Sequence, residues 1–353
     1  MPVTVIVGGQ YGSEGKGKVV ALTARQFDCP VVVRCGGPNS GHSTVIRDEE
    51  CVLRQLPAAA GQSDATLAIA AGCAVDEEVL IKETQYCEVD RERLIVDPRA
   101  VLVSNADREA ELRLVNSYAS TGSGNGSALA RRVLRSPGTR LAGDSSRLSE
   151  YARVERLAPT LHTMIDVGRQ VVIEGTQGFG LSLLHGPSYP FVTSKDTTAA
   201  AFAMESGISP RDVNEIILVI RTFPIRVGGP SGELRNEISW DVVKEESGAT
   251  NTEPEFTSVT NNLRRVARFD LELVRSACRY NKPTSLAVMG LDRIDVRNRG
   301  ATEVSQLTDE AMDFLSMLKS ELHTPIGWIG TGFATFEALV NTKELSAEVH
   351  HAG

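Results

Sequence analysis

The sequence lacks the features that mark secreted, membrane-spanning and nucleic-acid-binding proteins. Six cysteines are scattered through the 353 residues without a CxxC pair, so we expect reduced, mostly buried thiols and no zinc site. No apolar run approaches the ~20 residues that a membrane-spanning helix needs. The formal net charge is −8, whereas a general nucleic-acid partner requires a basic face.

Length and composition are those of an ordinary globular protein. Hydrophobic residues make up 41% of the chain and charged residues 23%, which is typical of such proteins. No linker divides the sequence, so we predict a single domain over residues 1–345 and a C-terminal tail over residues 346–353. Residues 3–8 form an apolar strand pattern without the basic flank or cleavage site of a signal peptide. We therefore expect a cytoplasmic protein.

Short β-branched runs alternate with helical patterns along most of the chain. The predicted strands cover residues 3–8, 31–34, 67–72, 171–175, 215–223, 285–292 and 326–330. The predicted helices cover residues 16–27, 76–86, 147–168, 196–206, 263–280, 307–320 and 333–342. This alternation predicts an α/β fold with a central, mostly parallel sheet flanked by helices.

Two polar, glycine-rich segments interrupt this alternation. We interpret residues 104–150 as a helix followed by a mobile loop, and residues 226–262 as a second long loop. Long loops within an α/β protein are usually functional.

The stretch GGQYGSEGKGK, residues 8–18, joins the first predicted strand to the first predicted helix. Glycines let the backbone approach phosphate oxygens closely, and a helix N-terminus favours an anion. Lys16 and Lys18 add positive charge. The stretch matches neither the Walker pattern nor the dinucleotide fingerprint, so it predicts a phosphate site of a different kind.

Six motifs occur in order along the chain. They are GGQYGSEGKGK (8–18), GGPNSGHS (36–43), STGSGNG (120–126), EGTQGFGLSL (174–183), YPFVTSKDTTA (189–199) and FPIRVGG (223–229). Together they resemble the adenylosuccinate synthetase family, most of all its compact archaeal and phage-type members. The resemblance implies a large α/β domain related to the P-loop NTPases, with long functional loops.

The resemblance also implies a reaction. Members of the family join aspartate to the 6-position of a purine nucleotide: a nucleoside triphosphate phosphorylates the purine O6, and the aspartate amine then displaces phosphate. By resemblance, Lys16 neutralises the transferred phosphoryl group, His42 is a general acid on the donor phosphates, and Gln177 holds the purine O6. With Ser13, these are the candidate catalytic residues.

Further roles follow from the same resemblance. The candidate triphosphate-binding residues are Gly12, Gly15, Lys16, Gly17, Lys18, Gly41, His42, Ser43, Asp292 and Gly332. The candidate residues for the purine monophosphate are Ser13, Asn39, Ser120, Thr121, Arg135, Gln177, Thr193 and Val227. Ser13 and Gly41 are the candidate ligands of Mg²⁺. A homodimer is also implied, in which Arg135 reaches the neighbouring active site; the alternative for Arg135 is a solvated surface arginine.

The aspartate-binding loop of the family reads like TTGRRRR, and the corresponding run here is SVTNNLRRVARFD, residues 258–270. The candidate aspartate-binding residues are Thr260, Asn261, Asn262 and Arg264. Asn262 and Leu263 replace the first two arginines of the family pattern. Because a guanidinium binds a carboxylate bidentately, Arg264 is the main candidate.

Ser13 departs from the family pattern GDEGKGK, in which an aspartate removes the N1 proton of hypoxanthine. A hydroxyl cannot act as that base at neutral pH. Guanine carries a 2-amino group beside N1, for which a serine leaves room and can accept a hydrogen bond. Phage relatives that act on dGMP also lack this aspartate. The resemblance therefore implies dGMP as the substrate and synthesis of a 2-aminoadenine precursor for a bacteriophage genome.

The segment VMGLD, residues 288–292, departs from the family's guanine-reading TKLD. Gly290 replaces the lysine and Asp292 remains, which suggests ATP or dATP as the donor. Two alternatives stay open. One is a conventional synthetase that uses IMP and GTP, with another carboxylate such as Glu14 as the base. The other is a nucleotide-binding protein that has lost catalysis.

Overall fold

The computed structural model describes residues 3–250, 254–257, 262–332, 334 and 339–341. The strands in these ranges are β1 (Val3–Gly8), β2 (Val31–Arg34), β3 (His42–Ile46), β4 (Glu49–Leu53), β5 (Thr66–Ile69), β6 (Ala74–Val75), β7 (Leu94–Val96), β8 (Val101–Leu102), β9 (Arg153–Val154), β10 (Val171–Glu174), β11 (Val213–Arg221), β12 (Ile225–Arg226), β13 (Glu237–Ile238), β14 (Arg265–Ala267), β15 (Ser285–Met289), β16 (Ile326–Gly330) and β17 (Leu339–Asn341).

Ten of these strands form one sheet in the order β17-β16-β15-β11-β1-β10-β2-β5-β7-β9. Its strands run parallel except for β17, which pairs antiparallel with β16. The central strands β1, β2 and β10 are buried along their whole length, as is usual for parallel strands covered on both faces. The predicted α/β fold with a mostly parallel sheet is therefore confirmed.

The helices lie between these strands in sequence. They are α1 (Lys16–Ala24), α2 (Glu77–Tyr86), α3 (Asn105–Tyr118), α4 (Asn125–Val133), α5 (Leu148–Tyr151), α6 (Leu157–Asp166), α7 (Ala199–Ser206), α8 (Trp240–Ser247), α9 (Leu271–Asn281) and α10 (Asp309–Leu322). Helices α1, α7 and α9 pack against the central strands. Each helix in the described ranges is too short or too polar to cross a bilayer.

Several predicted element boundaries were wrong. Residues 147–168 form two helices, α5 and α6, rather than one. Pro159 lies in the first turn of α6, where a proline is tolerated because the first N–H groups of a helix have no intrahelical partner. Residues 263–280 contain the strand β14 before α9 begins.

The predicted loops are also more regular than expected. Helix α4 follows α3 within residues 104–150, and residues 226–262 include β13 and α8. The helix predicted over residues 333–342 is not found where that segment is described, since residues 339–341 form β17. The predicted tail, residues 346–353, lies outside the described residues.

The parallel order brings four strand ends to one edge of the sheet. The glycine-rich loop follows β1, and β2, β10 and β11 end at Arg34, Glu174 and Arg221. Arg34 and Glu174 are also register partners on adjacent strands. Ligands of open α/β sheets bind at this carboxyl edge, and the candidate site lies there.

Candidate active site

A cleft of about 900 Å³ opens at the carboxyl edge of the sheet. Its lining includes the glycine-rich loop, residues 39–43 and parts of the segments 254–257 and 289–293. Six basic side chains and three carboxylates line it: Lys16, Lys18, Arg221, Arg264, Arg293, Arg299, Glu14, Glu255 and Asp292. This excess of positive charge, in a chain whose net charge is −8, suits an anionic ligand.

The glycine-rich loop is folded around the carboxylate of Glu14. Its Oε1 atom accepts hydrogen bonds from the backbone N–H groups of Gln10 (3.1 Å) and Gly12 (2.8 Å), and Lys16 Nζ lies 2.5 Å from Oε2. A Cβ atom at Gly178 would lie 2.2 Å from Glu14 Oε1, so a glycine is required there. Glu14 thus holds the loop and the buried Lys16 in place.

Ser13 lies at the exposed tip of this loop and lines the cleft. Its backbone is left-handed, with φ 55°, and its carbonyl oxygen accepts a hydrogen bond from Arg221 Nη1 at 3.2 Å. The adjacent carboxylate, Glu14, is almost completely buried and both of its oxygens are engaged. Glu14 is therefore poorly placed to act as the missing base.

A buried cluster of charged side chains fixes His42 beside Gly17 of the glycine-rich loop. The Nδ1 atom of His42 lies 2.5 Å from Glu174 Oε1, and Arg34 Nη1 contacts both groups. Glu174 also accepts the backbone N–H of Ala58 at 2.8 Å. Burial, together with the Arg34 charge, lowers the pKa of His42 to about 4. With Nδ1 bonded to Glu174, Nε2 is the ring nitrogen that remains for a ligand.

Replacing Glu174 with glutamine is expected to lower the free energy of unfolding by about 3 kcal/mol, because Arg34 would keep its charge in a buried site without a carboxylate partner. Denaturant unfolding measures this loss. The matched control is Glu92→Gln, which breaks the exposed Arg91–Glu92 pair and should change stability by less than about 1 kcal/mol. Equal effects of the two substitutions would show that the buried cluster is not a stabilising unit.

Two contacts define the far side of the cleft. Lys18 Nζ donates to the carbonyl oxygen of Gly332 at 2.8 Å, which ties α1 to the end of β16. Asp292 is buried, and Arg299 Nη2 lies 3.7 Å from its Oδ2 atom. This region has the charged and polar groups that could read a nucleobase edge.

The sequence model of the adenylosuccinate synthetase family matches residues 5–153 and 145–299. The chain belongs to the adenylosuccinate synthetase family.

Curated relatives in this family include archaeal enzymes. The adenylosuccinate synthetase of Methanocaldococcus jannaschii is 40% identical over 336 residues, covering 93% of this chain and 94% of the relative. That of Thermococcus sibiricus is 37% identical over 350 residues, covering 98% and 99%.

Two solved structures share the synthetase fold. The fully ligated adenylosuccinate synthetase of Plasmodium falciparum has a TM-score of 0.84 at 18% identity, covering 97% of this chain and 100% of that one. The succinoaminodeoxyadenylate synthetase (PurZ) of cyanophage S-2L, bound to dGMP and to dATP as an energy donor, has a TM-score of 0.81 at 26% identity. The match to the cyanophage protein covers 98% of this chain and 97% of that one.

The synthetase cleft brings most of the sequence-predicted site residues together. Those that line it are Gly12, Ser13, Gly15, Lys16, Gly17, Lys18, Asn39, Gly41, His42, Ser43, Thr121, Gln177, Val227, Arg264, Asp292 and Gly332. Ser120, Arg135, Thr193 and Asn262 are not among the lining residues. Thr260 and Asn261 lie outside the described residues.

Three of the residues that do not line the cleft can be placed by their local contacts or exposure. The backbone N–H of Thr193 is bonded to Leu181 O at 2.8 Å, which holds that segment beside the cleft. Asn262 is exposed, and its backbone pairs with Thr257. Arg135 is exposed after the end of α4.

The sequence interpretation missed several residues of the synthetase site. Four charged residues that it missed line the cleft: Arg221, Glu255, Arg293 and Arg299. A fifth, Glu174, holds the cleft residue His42 by a hydrogen bond. Glu174 lies within the motif EGTQG and could have been found from it. Glu255 and Arg221 are 34 residues apart, so their pairing has no local sequence signal.

A magnesium ion is consistent with part of this donor set. In the described part of the chain, no three His, Cys, Asp or Glu side chains cluster as a metal site. Ser13 and Gly41, which offer a hydroxyl and a carbonyl oxygen, both line the cleft. Mg²⁺ commonly takes few protein oxygens and completes its shell with phosphates and water, so these two residues fit an ion that arrives with a triphosphate.

Proposed function

We propose that this protein ligates L-aspartate to C6 of dGMP, driven by ATP or dATP, and so makes 2-amino-2′-deoxy-N6-succinyladenylate. The observation that carries the proposal is Ser13. It faces the cleft where the family pattern has an aspartate, and the neighbouring Glu14 is engaged within the loop. A purine with a 2-amino group is the substrate that this change accommodates.

The first step is phosphoryl transfer. The purine O6 attacks the γ-phosphorus, the bond to the β-phosphate bridging oxygen breaks, and the N1 proton passes to water in the open cleft. Lys16 and the N-terminus of α1 stabilise the negative charge on the transferred group. Gln177 is adjacent to the glycine-rich loop, since a Cβ at Gly12 would lie 3.8 Å from Gln177 Oε1. This position lets the amide of Gln177 bind the purine O6. Mg²⁺ held by Ser13 and Gly41 would supply further charge neutralisation.

The second step uses the amino acid. The aspartate amine attacks C6, the C6–O bond breaks, and inorganic phosphate leaves with the O6 oxygen and takes up the proton that the amine loses. Arg264 lies on the cleft wall, and its Nε donates to Phe256 O at 3.1 Å. This bond leaves the two terminal guanidinium nitrogens for a substrate carboxylate. Arg265, by contrast, is paired with Glu237, which supports Arg264 as the aspartate-binding arginine.

The cyanophage enzyme supports both the nucleotide and the donor in this proposal, since its structure holds dGMP and dATP. The test is to incubate purified protein with aspartate, ATP and either dGMP or IMP, and to measure the succinylated product and released phosphate. We expect turnover of dGMP. Turnover of IMP without turnover of dGMP contradicts the proposal.

Conventional synthesis from IMP and GTP is the second candidate. The 40% identity to the Methanocaldococcus jannaschii enzyme favours it. The same assay separates the two, with GTP in parallel reactions. Nucleotide binding without phosphate release from any mixture would indicate a relative that has lost catalysis.

We infer that the active unit is a homodimer in which Arg135 contributes to the neighbouring site. Val133 and Leu134, just before Arg135, are 76% and 75% exposed. Exposed apolar side chains beside a candidate trans-acting arginine suit an interface between two copies of the chain. Sedimentation of wild type and an Arg135→Ala variant, with dGMP kinetics, tests this assignment.

A further inference from the structure

One buried ion pair joins the part of the candidate substrate site near Ser13 to the part near Arg264. Arg221, the last residue of β11, donates from Nη1 and Nη2 to the two carboxylate oxygens of Glu255 at 3.1 and 2.5 Å. Their side chains are 9% and 18% exposed. Such a bidentate pair fixes both position and orientation.

Arg221 is held rigidly and in turn holds Ser13. The side-chain amide of Gln10 bonds to both the backbone N–H and the carbonyl of Arg221, each at 3.0 Å. Arg221 Nη1 also donates to the carbonyl oxygen of Ser13. A left-handed conformation is unfavourable for a residue with a side chain, so this hydrogen bond stabilises the backbone that aims Ser13 into the cleft.

Glu255 holds the other half of the site. Its carbonyl oxygen accepts the backbone N–H of Arg264 at 2.8 Å, and Phe256 pairs with Leu263 beside it. The guanidinium of Arg264 is bonded through Nε to Phe256 O. Burial alone would raise the pKa of Glu255, but Arg221 holds that pKa below its usual value. The pair is therefore ionised at neutral pH.

We propose that Arg221 and Glu255 are positioning residues that couple the purine position to the amino-acid position. Arg221 fixes Ser13 and Glu255 fixes Arg264, so either substitution displaces both groups. This inference rests on the proposed ligase function. The donor side has an anchor of its own in the Lys18–Gly332 contact, and its link to the pair is the longer 3.6 Å contact between Arg293 Nη2 and Glu255 Oε1. The coupling should therefore affect the triphosphate less than the amino acid.

The test compares three single variants with wild type in full steady-state kinetics. Arg221→Lys keeps the charge but loses the fork that spans Glu255 and Ser13. Glu255→Gln keeps the shape but loses the charge. Arg268→Lys, in the exposed Arg268–Glu246 pair, is the control.

Both test variants should raise the KM for aspartate and lower kcat with dGMP by about tenfold or more, the effect of losing charge-assisted hydrogen bonds. The KM for ATP should rise severalfold less than the KM for aspartate, because the Lys18–Gly332 contact of the donor side remains in both variants. The control should behave as wild type. Should a single variant fail to fold, the double variant Arg221→Gln/Glu255→Gln removes both buried charges together and replaces it in the assay.

A parallel rise in the KM values of all three substrates would reduce the pair to a general structural role, and an unchanged KM for aspartate would refute the coupling directly.

The proposed function is judged separately, on wild type alone. If wild type uses IMP, the same kinetics are measured with IMP. If it turns over neither purine, calorimetry replaces kinetics. The coupling then requires that both variants lose more affinity for dGMP than for ATP, and unchanged dGMP binding refutes it.

Discussion

Replacing Lys16 with methionine should lower kcat by about a thousandfold, because the proposed role of its ammonium is to neutralise the transferred phosphoryl group. Lys16 opens α1 and is 3% exposed. Its partner is Glu14, and the pair sits where the helix N-terminus meets the cleft. A water-excluded charge of this kind stabilises a developing anion more than an exposed lysine does.

Two further variants separate chemistry from folding. Lys16→Arg keeps the ion pair with Glu14 but moves the charge, so kcat should still fall while the melting temperature stays close to wild type. Lys82→Met, on the exposed face of α2, should leave both unchanged. Product formation by a folded Lys16→Met protein at more than about a tenth of the wild-type rate would remove Lys16 from the phosphoryl-transfer step.

The central sheet could be predicted because the local sequence of each strand is itself typical of a buried β-strand. The runs VTVIVG, VVVR and VVIE are β-branched and fully buried, so apolar pattern and final environment coincide. The strand β14 could not be predicted in this way. It has only three residues and forms by pairing with β12 and β13. Such short strands depend on tertiary context more than on local propensity.

The candidate site likewise contains residues that the sequence predicts and residues that it does not. Lys16, His42 and Gln177 lie in contiguous motifs whose residues remain neighbours in the folded protein, and all three line the cleft. The Arg221–Glu255 pair joins the end of β11 to the distant segment 254–257. Only the folded chain brings these two charges together, and no spacing rule in the sequence anticipates it.

Replacing Ser13 with aspartate should reverse the purine preference. A carboxylate at this position should lower kcat/KM for dGMP by crowding the 2-amino group, and should raise kcat/KM for IMP by supplying the missing base. General base catalysis contributes about 10²- to 10⁴-fold, so the ratio of dGMP to IMP efficiency should fall by at least about a hundredfold. Aspartate tolerates the left-handed backbone of Ser13, so the loop conformation should persist.

The control for this reversal is Ser13→Asn, which has nearly the size of aspartate but cannot accept a proton at neutral pH. Asparagine should lower dGMP turnover as aspartate does, yet give no gain with IMP. If both variants gain IMP turnover equally, the size of the side chain and not its charge sets the preference. If neither loses dGMP turnover, position 13 does not face the 2-amino group. The substrate assignment then fails, because it depends on Ser13 lying beside that group while Glu14 stays committed to the loop backbone and Lys16.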